Sequence, residues 1–149
     1  MSWLSSIFSF FGSSDSNFVC DEAIPFTGFD VNRYMGRWYS IEHPNMSFYA
    51  QYLRCTTAEY GPYSEEEGKF TGTNSSQIWY FPMMSQTGDV FVDESYPDGQ
   101  AYVAIYSDYE EGMEPNYNVI DTDYETYALV YSCDLEDSEA NFWILGRTP

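Results

Sequence analysis

The sequence predicts an all-β chain, an eight-stranded antiparallel up-and-down β-barrel, on three observations. From Met35 onward no long segment carries a helical period. Short runs rich in Tyr, Phe, Val and Ile take its place, separated by Gly, Pro, Asn and Asp turn signals. The length of 149 residues fits a single domain. A domain of that size buries roughly 70% of its unfolded surface. Closing such a sheet removes its edges, and a barrel of about eight strands leaves room for one small ligand.

The elements follow in chain order. Gly36 to His43 is the first run, stopped by Pro44-Asn45; Gln51 to Tyr60 is the next, stopped by Gly61-Pro62. The acidic turn Glu65-Glu66-Glu67-Gly68 leads to Lys69–Thr73 and then to Ser76–Phe81. Asp89–Ser95 ends at Pro97-Asp98-Gly99, and Ala101–Tyr106 follows. Tyr117–Asp121 and Tyr127–Cys133 flank Thr122-Asp123-Tyr124-Glu125, which reads as a hairpin turn, and Asn141–Arg147 closes the series. The polar stretch Ser13-Ser14-Asp15-Ser16 reads as a linker. It separates residues 20–149, the barrel domain, from an apolar leader at residues 1–19 that includes Trp3 to Phe11. The leader fits a signal-peptide core, or else an amphipathic segment packed on the barrel, and it is too short to span a bilayer.

Composition narrows the partners. With 24 acidic and 5 basic residues the formal net charge is -19. Nucleic acid and an anionic membrane would both be repelled, and no membrane insertion is expected. Aromatics make up 20% of the chain, far from the aromatic-poor composition of acidic disordered chains. The 15 tyrosines suit a wall with an apolar body and polar tips, and equally a simple preference for strands. No catalytic constellation is present, and His43 is the sole histidine. The Glu65–Glu67 run lacks the alternating oxygen ligands of a calcium loop and reads as a solvated turn, so no metal and no cofactor is expected. Two sequons, at Asn45 and Asn74, are compatible with secretion.

Three segments resemble the lipocalin family. Gly28-Phe29-Asp30-Val31-Asn32-Arg33-Tyr34-Met35-Gly36-Arg37-Trp38-Tyr39 is similar to the family's GxW signature at the first strand. Thr122-Asp123-Tyr124 with Glu125 to Cys133 is similar to its TDY turn and the strand after it. Phe142-Trp143-Ile144-Leu145-Gly146-Arg147 is similar to its closing strand with a late arginine. The three occur in order, and the match is nearest the apolipoprotein D branch, with the retinol-binding and crustacyanin-type branches close by. It is firm at both ends and loose between Ser64 and Asp108.

The resemblance implies roles. Trp38 plugs the closed end with Arg147 across its face, a contact worth about 0.5 to 2 kcal/mol. Gly36 lets the leader cross close to the strand. These three are structural. Tyr60, Tyr117 and Trp143 match pocket residues of the family. Alternation then adds Leu145 beside Trp143, Val119 beside Tyr117, and Ala58, Thr56 and Arg54 beside Tyr60. Val130 and Ala128 enter by similarity to the retinol-binding branch. Alternation also turns Asp121 inward, near a strand end.

The cysteines number three. By resemblance Cys20 and Cys133 form a disulfide. Cys55 matches a bridge whose partner belongs to the family's C-terminal tail, which is absent before Pro149, as is the family's flanking helix. The expectation is a shortened barrel with Cys55 facing outward, free or linking two chains as a dimer. The leading function is a secreted carrier of a small hydrophobic ligand: a retinoid, sterol, fatty acid, carotenoid or tetrapyrrole. A binder of a cationic amine ranks second, on the strength of the negative charge. A lipocalin-type enzyme ranks third, because the cysteine-dependent branch needs its thiol inside the barrel; the chain is therefore read as a non-enzyme.

Overall fold

The computed structural model describes residues 26–42, 52–104, 109–134 and 139–149. Eight strands lie among them: β1 (Gly36–Glu42), β2 (Leu53–Tyr60), β3 (Lys69–Ile78), β4 (Met84–Phe91), β5 (Gln100–Ala104), β6 (Tyr117–Thr122), β7 (Tyr127–Asp134) and β8 (Glu139–Gly146). Each pairs antiparallel with the next, and β8 returns to β1, so the sheet closes as an up-and-down barrel.

The middle of the barrel differs from the sequence reading. Lys69–Thr73 and Ser76–Phe81 form one long strand through Ile78, with Trp79 to Phe81 in the turn beyond it. The returning strand is Met84–Phe91, earlier in the chain than the expected Asp89–Ser95. Polar residues obscure this hairpin: Thr73 pairs with Thr87 and Ser75 with Ser85, and their hydroxyls bond at 2.9 and 2.7 Å. Cross-strand hydroxyl pairs of this kind stabilise a sheet without an apolar signature.

A short helix, α1 (Val31–Tyr34), closes one end. The Asp30 carboxylate accepts from the Asn32 and Arg33 backbone N–H groups and caps it. Its one buried residue, Tyr34, is 1% exposed and stacks on Tyr60 at 5.5 Å. Phe26 packs edge-on against both Phe29 and Tyr124, and Phe29 lies tilted on Tyr124. Gly99, with φ +80°, must be glycine: a Cβ there would lie 3.0 Å from the Val119 carbonyl oxygen. The β6–β7 turn is set by Asp123, whose carboxylate accepts from the backbone N–H groups of Glu125, Thr126 and Tyr127 and from the Thr126 hydroxyl. These bonds lower the Asp123 pKa to about 2.

Three bulges interrupt the ladders among the described residues, one on β1 between Ser40 and Glu42, and the other two re-aim side chains. On β2, Arg54 pairs with Gln77 but Thr57 pairs with Ser75, so the strand gains a residue near Cys55, whose φ is +54°. Arg54 is consequently exposed and outside the cavity, contrary to the alternation estimate. On β6, Val119 pairs with Val130 but Asp121 with Leu129, so Ile120 is extra. Asp121 therefore shares the outer face with Leu129 and receives the Tyr127 hydroxyl at 2.6 Å, which corrects its expected inward aim.

Cys55 is exposed and its thiol is free, on the outer face as expected. The leader, Cys20, the Cys133 side chain, His43 and Asn45 lie outside the described residues, and with them the implied disulfide.

Candidate functional site

The barrel encloses a cavity of about 420 Å³, within the range of small-molecule sites. Its floor is built from the GxW end. Trp38 is fully buried and donates its indole N–H to the Tyr34 carbonyl at 2.9 Å. The Arg147 guanidinium lies 3.7 Å from the centre of the Trp38 ring. It donates to the carbonyls of Tyr124 and Arg37 at 2.9 Å, and to those of Met35 and Arg33 at 3.0 and 3.1 Å. One side chain thus ties the end of α1, the start of β1 and the β6–β7 turn together. Gly36, at φ +96°, lies against it, and a Cβ there would sit 3.4 Å from Arg147 Nη1.

Above Trp38 three tyrosines meet. The Tyr117 hydroxyl bonds to that of Tyr34 and to that of Tyr60, each at 2.8 Å. Burial raises all three above the ordinary tyrosine pKa, Tyr60 to about 12, so the cluster is neutral at physiological pH. Three hydroxyls share two bonds, so one O–H proton has no partner within the cluster. Tyr60 and Tyr117 both line the cavity, and either can carry that proton.

The walls bring together five of the six expected ligand contacts: Tyr60, Tyr117, Val130, Trp143 and Leu145. Val130 faces Trp143 across the β7–β8 ladder, and Ala128 faces Leu145. Val119 sits lower, 3% exposed in the floor core, beside a small void it shares with Tyr117, Phe29 and Val31. The sequence reading missed the opposite wall. Phe70, Gly72, Asn74 and Ser76 of β3 and Gln86 and Val90 of β4 alternate inward. Their period of two was the available signal, hidden by the polar types at Asn74, Ser76 and Gln86. Asn74, the first residue of the second sequon, lies on the cavity-lining face of β3 and is itself exposed. Ser40, also on the wall, has a hydroxyl oxygen shielded from solvent and without a hydrogen-bond partner.

Among the described residues, none that lines the cavity is charged. The polar groups it offers are hydroxyls and amides: Ser40, Thr56, Asn74, Ser76, Gln86, Asn116, Ser132 and the tyrosine tips. Among the described residues no group of His, Cys, Asp or Glu side chains is arranged to hold a metal ion.

A closed eight-stranded barrel with a Trp–Arg floor and an internal cavity defines the class: a calyx of the kind that holds a small molecule. The family comparison agrees, since residues 29–149 match the model of the lipocalin-like domain. The chain belongs to the lipocalin family, whose members bind small hydrophobic ligands. It is 34% identical to bovine (Bos taurus) apolipoprotein D over 128 residues, covering 81% of this chain and 62% of that protein. It is 30% identical to Gallus gallus purpurin over 113 residues, covering 70% of this chain and 55% of purpurin. Among solved structures, insecticyanin of the tobacco hornworm Manduca sexta superposes with a TM-score of 0.65 at 25% identity, covering 87% of this chain and 69% of that one. The chain thus spans less than two thirds of the length of those two curated relatives.

Proposed function

We propose that this lipocalin carries a neutral, largely apolar small molecule with a hydrogen-bond acceptor at its buried end. The observation that carries the reading is that none of the described residues lining the cavity is charged, in a protein of net charge -19. An unpaired ionised group is expensive to desolvate, so such a cavity discriminates against ionised ligands. The surplus tyrosine proton supplies a polar handle. Trp143 and Tyr60 give aromatic faces for a conjugated or ring-shaped ligand. The members of the expected set that fit are retinoids, sterols and carotenoid-type molecules. A fatty acid fits only with its carboxylate held outside the cavity.

The amine reading needs an inward carboxylate. Asp121 was the candidate, and its outward aim removes that support. The enzymatic reading needs an inward thiol, and Cys55 is on the outer surface; a binder is the better reading. A dimer through Cys55 has only that exposure in its favour. We also read the protein as secreted, with residues 1–19 as its leader and Cys20–Cys133 as its disulfide. Edman sequencing of protein recovered from culture medium tests the cleavage, and intact mass before and after reduction tests the bridge.

Native mass spectrometry of the purified protein, followed by quenching of tryptophan emission with a panel of neutral ring-bearing ligands, tests the carrier reading. Saturable quenching that is reduced by Trp143→Phe is expected. No saturable quenching across the panel overturns it.

A further inference from the structure

The tip of the β3–β4 hairpin is the least sheltered apolar surface among the described residues. Trp79, Tyr80, Phe81, Met83 and Met84 are all more than half exposed, Tyr80 at 97% and Phe81 at 64%. They surround Pro82 in one continuous stretch. Isolated exposed apolar residues need no explanation, but a contiguous group does.

The tip is built rather than loose. The Phe81 N–H donates to the Ile78 carbonyl at 2.9 Å, and the Gln77 side-chain amide donates to the Phe81 carbonyl at 3.0 Å. Trp79 holds φ at +49°, a backbone state that bulky L-residues rarely adopt, and its ring packs edge-on against Tyr52 at 4.8 Å. Unusual backbone held by packing is a common mark of a functional segment.

Its position matters. β3 starts at the floor, where Phe70 packs on Tyr60, and climbs past Asn74 and Ser76 to the opposite end. The tip therefore stands at the open end of the cavity. The tip of this hairpin and the β1–β2 connection beside it carry no charge. No Asp, Glu, Lys or Arg occurs between Lys69 and Asp89, nor between Glu42 and Arg54, in a chain with 29 such residues in all (24 acidic and 5 basic). Acidic residues stand at both ends: Glu65, Glu66, Glu67, Asp93, Glu94, Asp98, Asp123 and Glu125 in the closed-end connections, and at the open end Glu42 at the end of β1 and Asp134 and Glu139 paired where β7 meets β8, with Glu136 and Asp137 between them in the sequence.

We infer that this tip docks the open end of the barrel onto a neutral lipid surface. The surface is zwitterionic, because the net charge and the acidic β7–β8 end on the same side of the barrel repel an anionic one. Tryptophan and tyrosine favour the boundary between headgroups and acyl chains, and Phe and Met reach beyond it. A hairpin tip is convex and narrow, a poor match to the roughly 800 Å² per partner that a stable protein interface buries. The docking places the cavity mouth at the surface, so an apolar ligand can pass between lipid and barrel without crossing bulk water. That last consequence rests on the carrier reading; the docking itself does not.

The test is flotation of the full chain, without added ligand, on phosphatidylcholine vesicles and on vesicles of phosphatidylcholine mixed with phosphatidylserine. The wild type floats with phosphatidylcholine, its tryptophan emission shifts to the blue, and the shift is lost in Trp79→Tyr. Adding phosphatidylserine weakens binding at low salt. The double variant Tyr80→Asp with Phe81→Asp keeps the wild-type thermal midpoint, since both side chains are exposed, and binds about tenfold more weakly or worse. Absence of flotation on phosphatidylcholine, undiminished flotation of the double variant, or stronger binding to phosphatidylserine overturns the inference. So does a wild-type dimer in solution that the double variant dissolves, because the tip then pairs two copies. A failed ligand panel with intact vesicle binding would sink the carrier reading alone.

Discussion

Removing the Tyr117 hydroxyl should cost about twice as much as removing that of either neighbour. Tyr117 is the centre of the floor cluster and makes both of its hydrogen bonds. Tyr117→Phe deletes one oxygen but breaks two bonds, and it leaves the buried Tyr34 and Tyr60 hydroxyls without each other's link. Each bond is worth about 0.5 to 1.5 kcal/mol net, and an orphaned buried hydroxyl costs more. The expected loss is about 2 to 3 kcal/mol. Tyr34→Phe and Tyr60→Phe each break one bond and leave the other standing, so about 1 kcal/mol is expected. Urea denaturation with unchanged m-values reads these differences directly. Equal losses in all three variants, or a smaller loss for Tyr117→Phe than for its neighbours, would refute the two-bond reasoning. The pH dependence gives a second reading. Burial raises Tyr60 to about 12 in the folded state, against 10 for the free side chain. Its contribution is therefore complete below pH 10 and lost as the pH rises from 10 toward 12. Tyr60→Phe removes that part of the alkaline loss.

Other outcomes follow from the same floor. Arg147→Met should lower stability by about 3 kcal/mol or more in urea melts, since several charge-assisted bonds vanish together. Arg147→Lys should recover less than half of it, because an ammonium cannot span the helix end and the β6–β7 turn at once. Gly36→Ala should cost about 1 to 2 kcal/mol by the same assay, from its positive φ and the contact with Arg147. Asp123, held near 2 by its turn bonds against an ordinary 3.8, stabilises fully above pH 3.8 and loses that contribution as the pH falls toward 2. Thermal midpoints measured across that range should fall less steeply in Asp123→Asn than in the wild type.

The two ends of the chain were legible because their residues have single jobs. Gly36, Trp38 and Arg147 meet as their types suggest: a positive φ, an indole and a guanidinium placed over it. Val130, Trp143 and Leu145 follow simple alternation on regular strands, and all three face the cavity. Alternation failed where a bulge adds a residue, and neither Cys55 nor Ile120 announces one by type. Arg54 and Asp121 were misaimed for that one reason. The β3–β4 hairpin was misread because its inner face mixes Phe70 and Val90 with Asn74, Ser76 and Gln86. The apolar run Ile78 to Phe81 looked like strand, yet most of it is the tip. The tyrosine cluster was invisible in the sequence, since Tyr34, Tyr60 and Tyr117 come from a helix and two distant strands.

The central claim is that the cavity selects a neutral ligand, and a matched series tests it most directly. Retinal, retinylamine and retinoic acid share one skeleton and differ at one end. Titrated at neutral pH with the tryptophan quenching that Trp143→Phe reduces as the readout, retinal should bind at least about tenfold more tightly than the amine, a difference of about 1.4 kcal/mol. The acid should also be weaker than retinal. Tightest binding by the amine would contradict the account and place an acidic group within reach of the ligand.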